Sequence, residues 1–146
     1  SALHYVKENQ LQALHHIRSI VRIEEKEHIW LDRFTIKNLE LVYLQHERAK
    51  TLLDVIDYTL TAMGGRLLKR WLLLPLTNLN EIHARNGAVA WFASNERPCE
   101  TIREHLAQCG DLERLISKVA VGKVNPREIR HIHRSLETFS NICICN

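Results

Sequence analysis

Along most of this chain, apolar residues return every three or four positions, the spacing that lines one face of an α-helix. The pattern is strongest after Thr61. Met63, Leu67, Trp71 and Leu74 form one row, and Leu60, Gly64, Leu68 and Leu72 form the row beside it. Two adjacent rows make a wide stripe, so a largely buried helix is expected from a cap at Thr61 to about Leu74, where Pro75 stops it. Asn78 and Glu81 have the spacing of a cap and its partner for the next helix, whose inward face reads as Leu79, Ile82, Val89 and Ala93. Pro98 and Gly110 bracket a third helix with Cys99, Ile102, Leu106 and Cys109 on one side. Asp111 opens a fourth, with Leu112, Leu115, Ile116 and Val119 inward, and Gly122 ends it. Asn125-Pro126 opens the last, which carries Ile129, Ile132, Leu136 and Phe139 on one stripe.

The front of the chain reads differently. Ala2 to His16 has helical amphipathicity, and then the period changes. Ile20–Ile23 and Ile29–Leu31 read as short strands joined by a charged run, with one helical turn from Asp32 or Thr35 to about Asn38. Leu39–Leu44 and Thr51–Tyr58 are short, β-tolerant runs on either side of polar Gln45–Lys50, and a hairpin is expected there. The expected fold class is therefore mainly α. It is a helical bundle with a small antiparallel strand element near the N-terminal third, within about residues 20–57, and it is helical from about 61.

Composition sharpens this picture. Only 5 Gly and 3 Pro occur in 146 residues, too few turn residues for a sandwich or barrel. Hydrophobic residues at 45% and charged residues at 25% exclude wholesale disorder. No apolar stretch approaches the length of a membrane span, and the N-terminus has no signal-peptide pattern. A reducing, cytoplasmic setting with free thiols is expected for the 4 cysteines, two of which (Cys99 and Cys109) fall on an apolar helical stripe.

Net charge is +3, which permits nucleic-acid binding without establishing it. Arg127, Arg130 and Arg134 recur at three and four residues along the last helix, opposite its apolar stripe, and are candidate phosphate contacts. Lys118 and Lys123 extend them. The plainer reading is a solvated face that pairs with Glu128, with Glu137 or with another domain. No aromatic residues are interleaved, so base stacking is not indicated. The only Gly-Lys pair, Gly122-Lys123, lacks the glycine-rich turn and hydroxyl of a phosphate-cradling loop, and no nucleophile stands beside a base. Cys143-x-Cys145 and His131-x-His133 lack the second ligand pair that a tetrahedral metal site requires. No catalytic, cofactor-binding or metal-ligating residue is expected.

One string is more specific. Asp57, Thr59, Thr61, Met63, Gly64, Arg66, Leu67, Leu68, Trp71, Leu72, Pro75 and Leu76 stand in the order and spacing of a long signature. It resembles the core-domain signature of the MutS family of DNA mismatch-repair proteins. Asn38-Leu-Glu-Leu upstream, and Ile82, Arg85, Asp111-Leu-Glu-Arg114 and Asn125-Pro-Arg127 downstream, fit the same family in the same order. The resemblance runs from about Ala2 to Phe139. It implies that residues 1–146 are a single domain, the first part of a core or lever domain. The clamp, the mismatch-reading domain with its Phe-x-Glu and the ATPase domain, which binds ATP and Mg, would lie elsewhere. The implied role is transmission between nucleotide state and DNA grip. The implied partners are DNA, the connector, clamp and ATPase domains, and a second copy in a homodimer. The implied setting is the cytoplasm, near the nucleoid. The family signature residues Asn38, Asp57, Thr59, Met63, Gly64, Arg66, Leu67, Trp71, Pro75, Asp111 and Arg114 would then be structural. The apolar tail after Asn141 would be a boundary in mid-domain, and the Ile129–Phe139 stripe would be covered by helices from outside this chain. The alternatives are a stand-alone helical protein-interaction module and a small thiol protein using Cys143 and Cys145.

Overall fold

The computed structural model describes residues 27–46 and 49–144. The helix expected over Ala2–His16, the strand expected at Ile20–Ile23 and the pair Cys143-x-Cys145 lie outside the described residues or side chains. Two short helices come first, α1 (Arg33–Asn38) and α2 (Leu52–Ile56). Five longer ones follow: α3 (Ala62–Leu73), α4 (Leu79–Ser94), α5 (Glu96–Gln108), α6 (Leu112–Ala120) and α7 (Pro126–Ile144).

Side-chain caps set most of these boundaries. A helix leaves its first N–H groups without intrahelical partners, and short polar side chains supply acceptors. Asp32 Oδ1 accepts from the Thr35 N–H at 2.6 Å, and Thr61 Oγ1 from the Gly64 N–H at 3.0 Å. Asp111 Oδ1 accepts from the Arg114 N–H at 3.2 Å. At the start of α7, Asn125 and Glu128 each accept the other's backbone N–H, at 2.9 and 3.0 Å. Asn95 is at once the C-cap of α4 and the N-cap of α5, so Pro98 sits inside the first turn of α5 rather than at its first position. Gly122, which ends α6, has a φ of +67°, where a side chain would be strained.

The strand element is not present among the described residues. What remains is one isolated antiparallel bridge, His28 with Leu76. Ile29 donates to the Pro75 carbonyl at 2.8 Å, and Thr77 donates to that of Glu27 at 3.1 Å. Leu39–Leu44 is irregular, and Thr51–Tyr58 contains α2 instead of a strand. The cause is a capping box. Thr51 Oγ1 accepts from the Asp54 N–H at 3.1 Å while Asp54 Oδ2 accepts from the Thr51 N–H at 3.0 Å, and this outweighs the β preference of Val55 and Ile56. The two runs still meet. Leu52 and Leu53 donate to the carbonyls of Glu40 and Leu41 at 2.9 and 3.0 Å, so the loop satisfies the helix N-terminus in place of a hairpin ladder.

α5 and α6 both pack on α7, α4 packs on α5, and α2 packs on α3. Burial is thin. Leu41 is the one buried apolar side chain among the described residues. The expected stripe of α3 is only half-covered: Met63, Leu68 and Leu72 are partly buried, whereas Leu67 and Trp71 are exposed. On α4 Ile82 is partly buried, but Leu79 and Val89 face solvent. On α5 the expected Cys99, Ile102, Leu106 and Cys109 face is the partly buried one. On α6 Leu112 and Leu115 are partly buried, and Ile116 and Val119 are exposed. α7 meets its neighbours along a narrow strip that includes Glu128, Ser135, Thr138 and Ile142, leaving Ile129, Leu136 and Phe139 more than half exposed.

Candidate functional site

The densest group of signature residues is the start of α3. Asp57 Oδ1 accepts from both the Thr59 N–H (3.0 Å) and the Thr59 hydroxyl (2.6 Å), folding Asp57–Thr59 into a tight turn. These two hydrogen bonds, the hydroxyl's first, hold the Asp57 carboxyl below its usual range. The turn lies against the Gly64-Gly65 pair. A Cβ on Gly64 would come within 3.2 Å of Thr59 Cβ, and one on Gly65 within 3.4 Å of Asp57 Oδ2. The glycines thus accommodate the chain's own preceding turn.

One turn on, Arg66 reaches across to the start of α6. Its guanidinium makes a two-pronged contact with Asp111, Nη1 to Oδ2 at 2.9 Å and Nη2 to Oδ1 at 2.7 Å. Its Nε also donates to Glu113 Oε2 at 2.9 Å. Planar guanidinium against carboxylate is the geometry in which an ion pair is directional as well as attractive. Arg66 is the main reason that the Asp111 carboxyl lies below its usual range, with the Arg114 N–H adding to it, and the two carboxylates push the Arg66 guanidinium upward in turn. Asp111 therefore does two things with one side chain: it caps α6 and receives α3. Two signature segments 45 residues apart meet here.

The other signature residues serve nearby packing. Trp71, 42% exposed, is covered on one face by Arg85 from α4, whose guanidinium carbon stands 3.9 Å from the ring centroid. Met63 is partly buried and Leu67 exposed on the same helix. Pro75 supplies the carbonyl that Ile29 bonds. Asn38 Oδ1 accepts from Gln45 Nε2 at 3.3 Å, and the same amide donates to the Lys37 carbonyl at 3.0 Å. Beyond its backbone bond to Asp111, Arg114 leaves its side chain exposed.

Two features of the α5–α6–α7 junction had little or no mark in the sequence. Ser135 is fully buried and accepts from the Gly110 N–H at 3.0 Å. A Cβ on Gly110 would lie 2.6 Å from Cε1 and Nε2 of His131, so a side chain here would displace that exposed imidazole. Burial pushes the adjacent Cys109 thiol up, as expected of an inert cysteine. The second feature is Lys118, which the sequence grouped with the basic stripe. It forms an ion pair with Glu128 that joins α6 to α7, so it is not available to an outside phosphate. Lys118, followed by the Asn125 N–H, holds Glu128 below its usual range. The mark of this contact in the sequence was the plainer reading of the basic stripe, a face that pairs with Glu128.

Arg127, Arg130 and Arg134 are all exposed and make no ion pair among the described residues. Of the partners foreseen for them, Glu128 pairs with Lys118, and Glu137 lies 3.3 Å from His133, an exposed contact that is an ion pair only when the imidazole is protonated. Beside Arg134 opens a cleft of about 390 Å³ lined also by Gln108, His131, Glu137 and Thr138. A second cleft, of about 510 Å³, lies among Arg33, Ile36, Lys37 and Tyr43. Among the described residues no group of three or more His, Cys, Asp or Glu side chains is placed to hold a metal ion, and no helix is long and apolar enough to cross a membrane.

Residues 34–145 match the family model of MutS domain III. The chain is 51% identical over 137 residues to the DNA mismatch repair protein MutS of Flavobacterium johnsoniae, a match covering 94% of this chain and 16% of that protein. The protein of the same name from Flavobacterium psychrophilum is 49% identical over the same shares. That from Parabacteroides distasonis is 40% identical over 147 residues, 99% of this chain and 17% of the relative. The chain thus spans about a sixth of the length of the curated relatives it matches.

Proposed function

Because this chain belongs to the MutS domain III family, the core domain of a DNA mismatch-repair protein, we propose that it works as a lever, transmitting nucleotide state at one end of a larger protein to the grip on DNA at the other. The observation that carries this reading is the Arg66 fork. A transmitting element needs rigid pieces joined by directional contacts, and Arg66 joins α3 to the capped start of α6 with four hydrogen bonds to Asp111 and Glu113. Lys118–Glu128 and Gly110–Ser135 then tie α6 and the α5–α6 junction to α7. In this reading the chain supplies no catalytic group, and ATP and Mg belong to a separate domain of the same protein. Connector, clamp and ATPase domains are its neighbours, a second copy completes a homodimer, and the assembly works on DNA in the cytoplasm at the nucleoid.

The test uses the full-length protein that carries this chain, with Arg66→Gln and Arg66→Lys. Duplex affinity without nucleotide and basal ATP hydrolysis should stay within about twofold of the parent. The change in hydrolysis on adding mismatched duplex should fall sharply in Arg66→Gln and partly in Arg66→Lys, which keeps the charge without the fork. An undiminished response in Arg66→Gln refutes the lever reading.

A further inference from the structure

We infer that the exposed edge of α7 formed by Arg127, Arg130 and Arg134 is a sequence-blind contact for the phosphate backbone of duplex DNA. The inference rests on the proposed role in a DNA-acting protein and adds a site to it. At 3.6 residues per turn the three side chains lie within an arc of about 60°, and at 1.5 Å per residue they span about 10 Å of helix. A duplex carries one negative charge per about 1.7 Å of its axis, so a ridge of this length has several phosphates within reach.

Three observations favour phosphate. First, the guanidinium groups are uncommitted. Of the carboxylates on α7, Glu128 is held by Lys118 and Glu137 stands 3.3 Å from His133, and no ion pair to the ridge is formed among the described residues. Second, no apolar residue shares this edge. The apolar residues Ile129, Leu136 and Phe139 stand on the opposite side of the helix. A protein partner is normally held around an apolar centre, and a wet edge of three arginines, with Glu137 as the acidic residue beside it, suits a polyanion better. Third, the ridge has no aromatic neighbour on which a base would stack, and arginines without base-edge partners position a duplex without reading it.

The experiment compares the full-length parent protein with the triple variant Arg127→Gln, Arg130→Gln, Arg134→Gln. Fluorescein-labelled homoduplex and G·T heteroduplex are titrated by anisotropy between 50 and 200 mM salt. Three lost phosphate contacts should reduce the log–log salt slope by about 2.7, so the ratio of variant to parent Kd changes about 40-fold across that range. Both duplexes should weaken by the same factor. The triple Lys variant should keep the parental slope, because a phosphate is neutralised by either cation. An unchanged slope in the Gln variant overturns the proposal and leaves an acidic protein surface as the partner. A slope lost equally in the Lys variant overturns it too, since shape rather than charge then matters. So does a selective loss of heteroduplex binding, which means base reading. The Arg66 hydrolysis assay is independent of these slopes, so failure of the ridge and failure of the lever reading are told apart.

Discussion

Replacing Ser135 by alanine removes one hydroxyl from the least accessible side chain described in the protein. That hydroxyl is the acceptor for the Gly110 N–H at the turn between α5 and α6, and Gly110 is itself buried. Taking it away leaves a buried donor without a partner, which costs about 1–3 kcal/mol. Alanine also favours the helix over serine by a few tenths of a kcal/mol, which offsets part of that loss. Ser140→Ala, at an exposed position of the same helix, measures this propensity gain by itself. The assay is amide hydrogen exchange read at Gly110. The difference between the two variants should appear as faster Gly110 exchange, by roughly 5- to 150-fold, the range to which 1–3 kcal/mol corresponds. Exchange at α3, remote from this contact, should be unaltered. If Ser135→Ala leaves Gly110 exchange within twofold of the Ser140→Ala control, the bond does not hold the junction and the argument from burial fails.

Two further outcomes follow from particular contacts. The Asp111 carboxyl lies below its ordinary value of 3.8, so its contribution to stability is full above that value and disappears as pH falls through the lower folded-state value. Acid unfolding should therefore set in at higher pH for Arg66→Gln than for the parent, and equal acid midpoints would remove Arg66 as the cause. Gly122→Ala meets no neighbouring atom but forces a side chain onto a φ of +67°, so a loss of about 1 kcal/mol is expected in urea unfolding, less for Gly122→Asn, and none at all would refute the strain argument.

The helical half of the fold was legible because its signals are local. Thr61, Asn78, Asp111 and Asn125 each cap the helix the sequence assigned to them, by hydrogen bonds to residues two or three positions on. The hairpin failed for a local reason as well. Val55 and Ile56 invited a strand, but Thr51 and Asp54 formed a reciprocal cap that only one helical turn can satisfy. Burial was less legible than helicity. Periodicity tells which side of a helix is apolar, not whether anything covers it, and so Trp71 and Leu79, expected to face inward, stand exposed here. Ser135 had no signal, since its importance comes from a backbone donor 25 residues away. Arg66 and Asp111 were both singled out as signature residues, yet only three-dimensional proximity reveals them as partners.

Asn95 closes one helix and opens the next without an intervening residue. Its side chain donates to the Trp91 carbonyl at 2.7 Å, its own N–H donates to Phe92 at 3.3 Å, and its carbonyl receives the Cys99 N–H at 3.2 Å. Such a joint has no slack. Deleting a single residue there would force one of the helices to unwind, and adding one inside α5 would turn every later position by about 100°, swinging Ile102 and Leu106 away from α7. Length changes between homologous chains should accordingly avoid positions 94–99 and collect in the loops at 39–50 and 121–125, and a set of homologues with frequent gaps at the joint would show that it is not the rigid elbow described here.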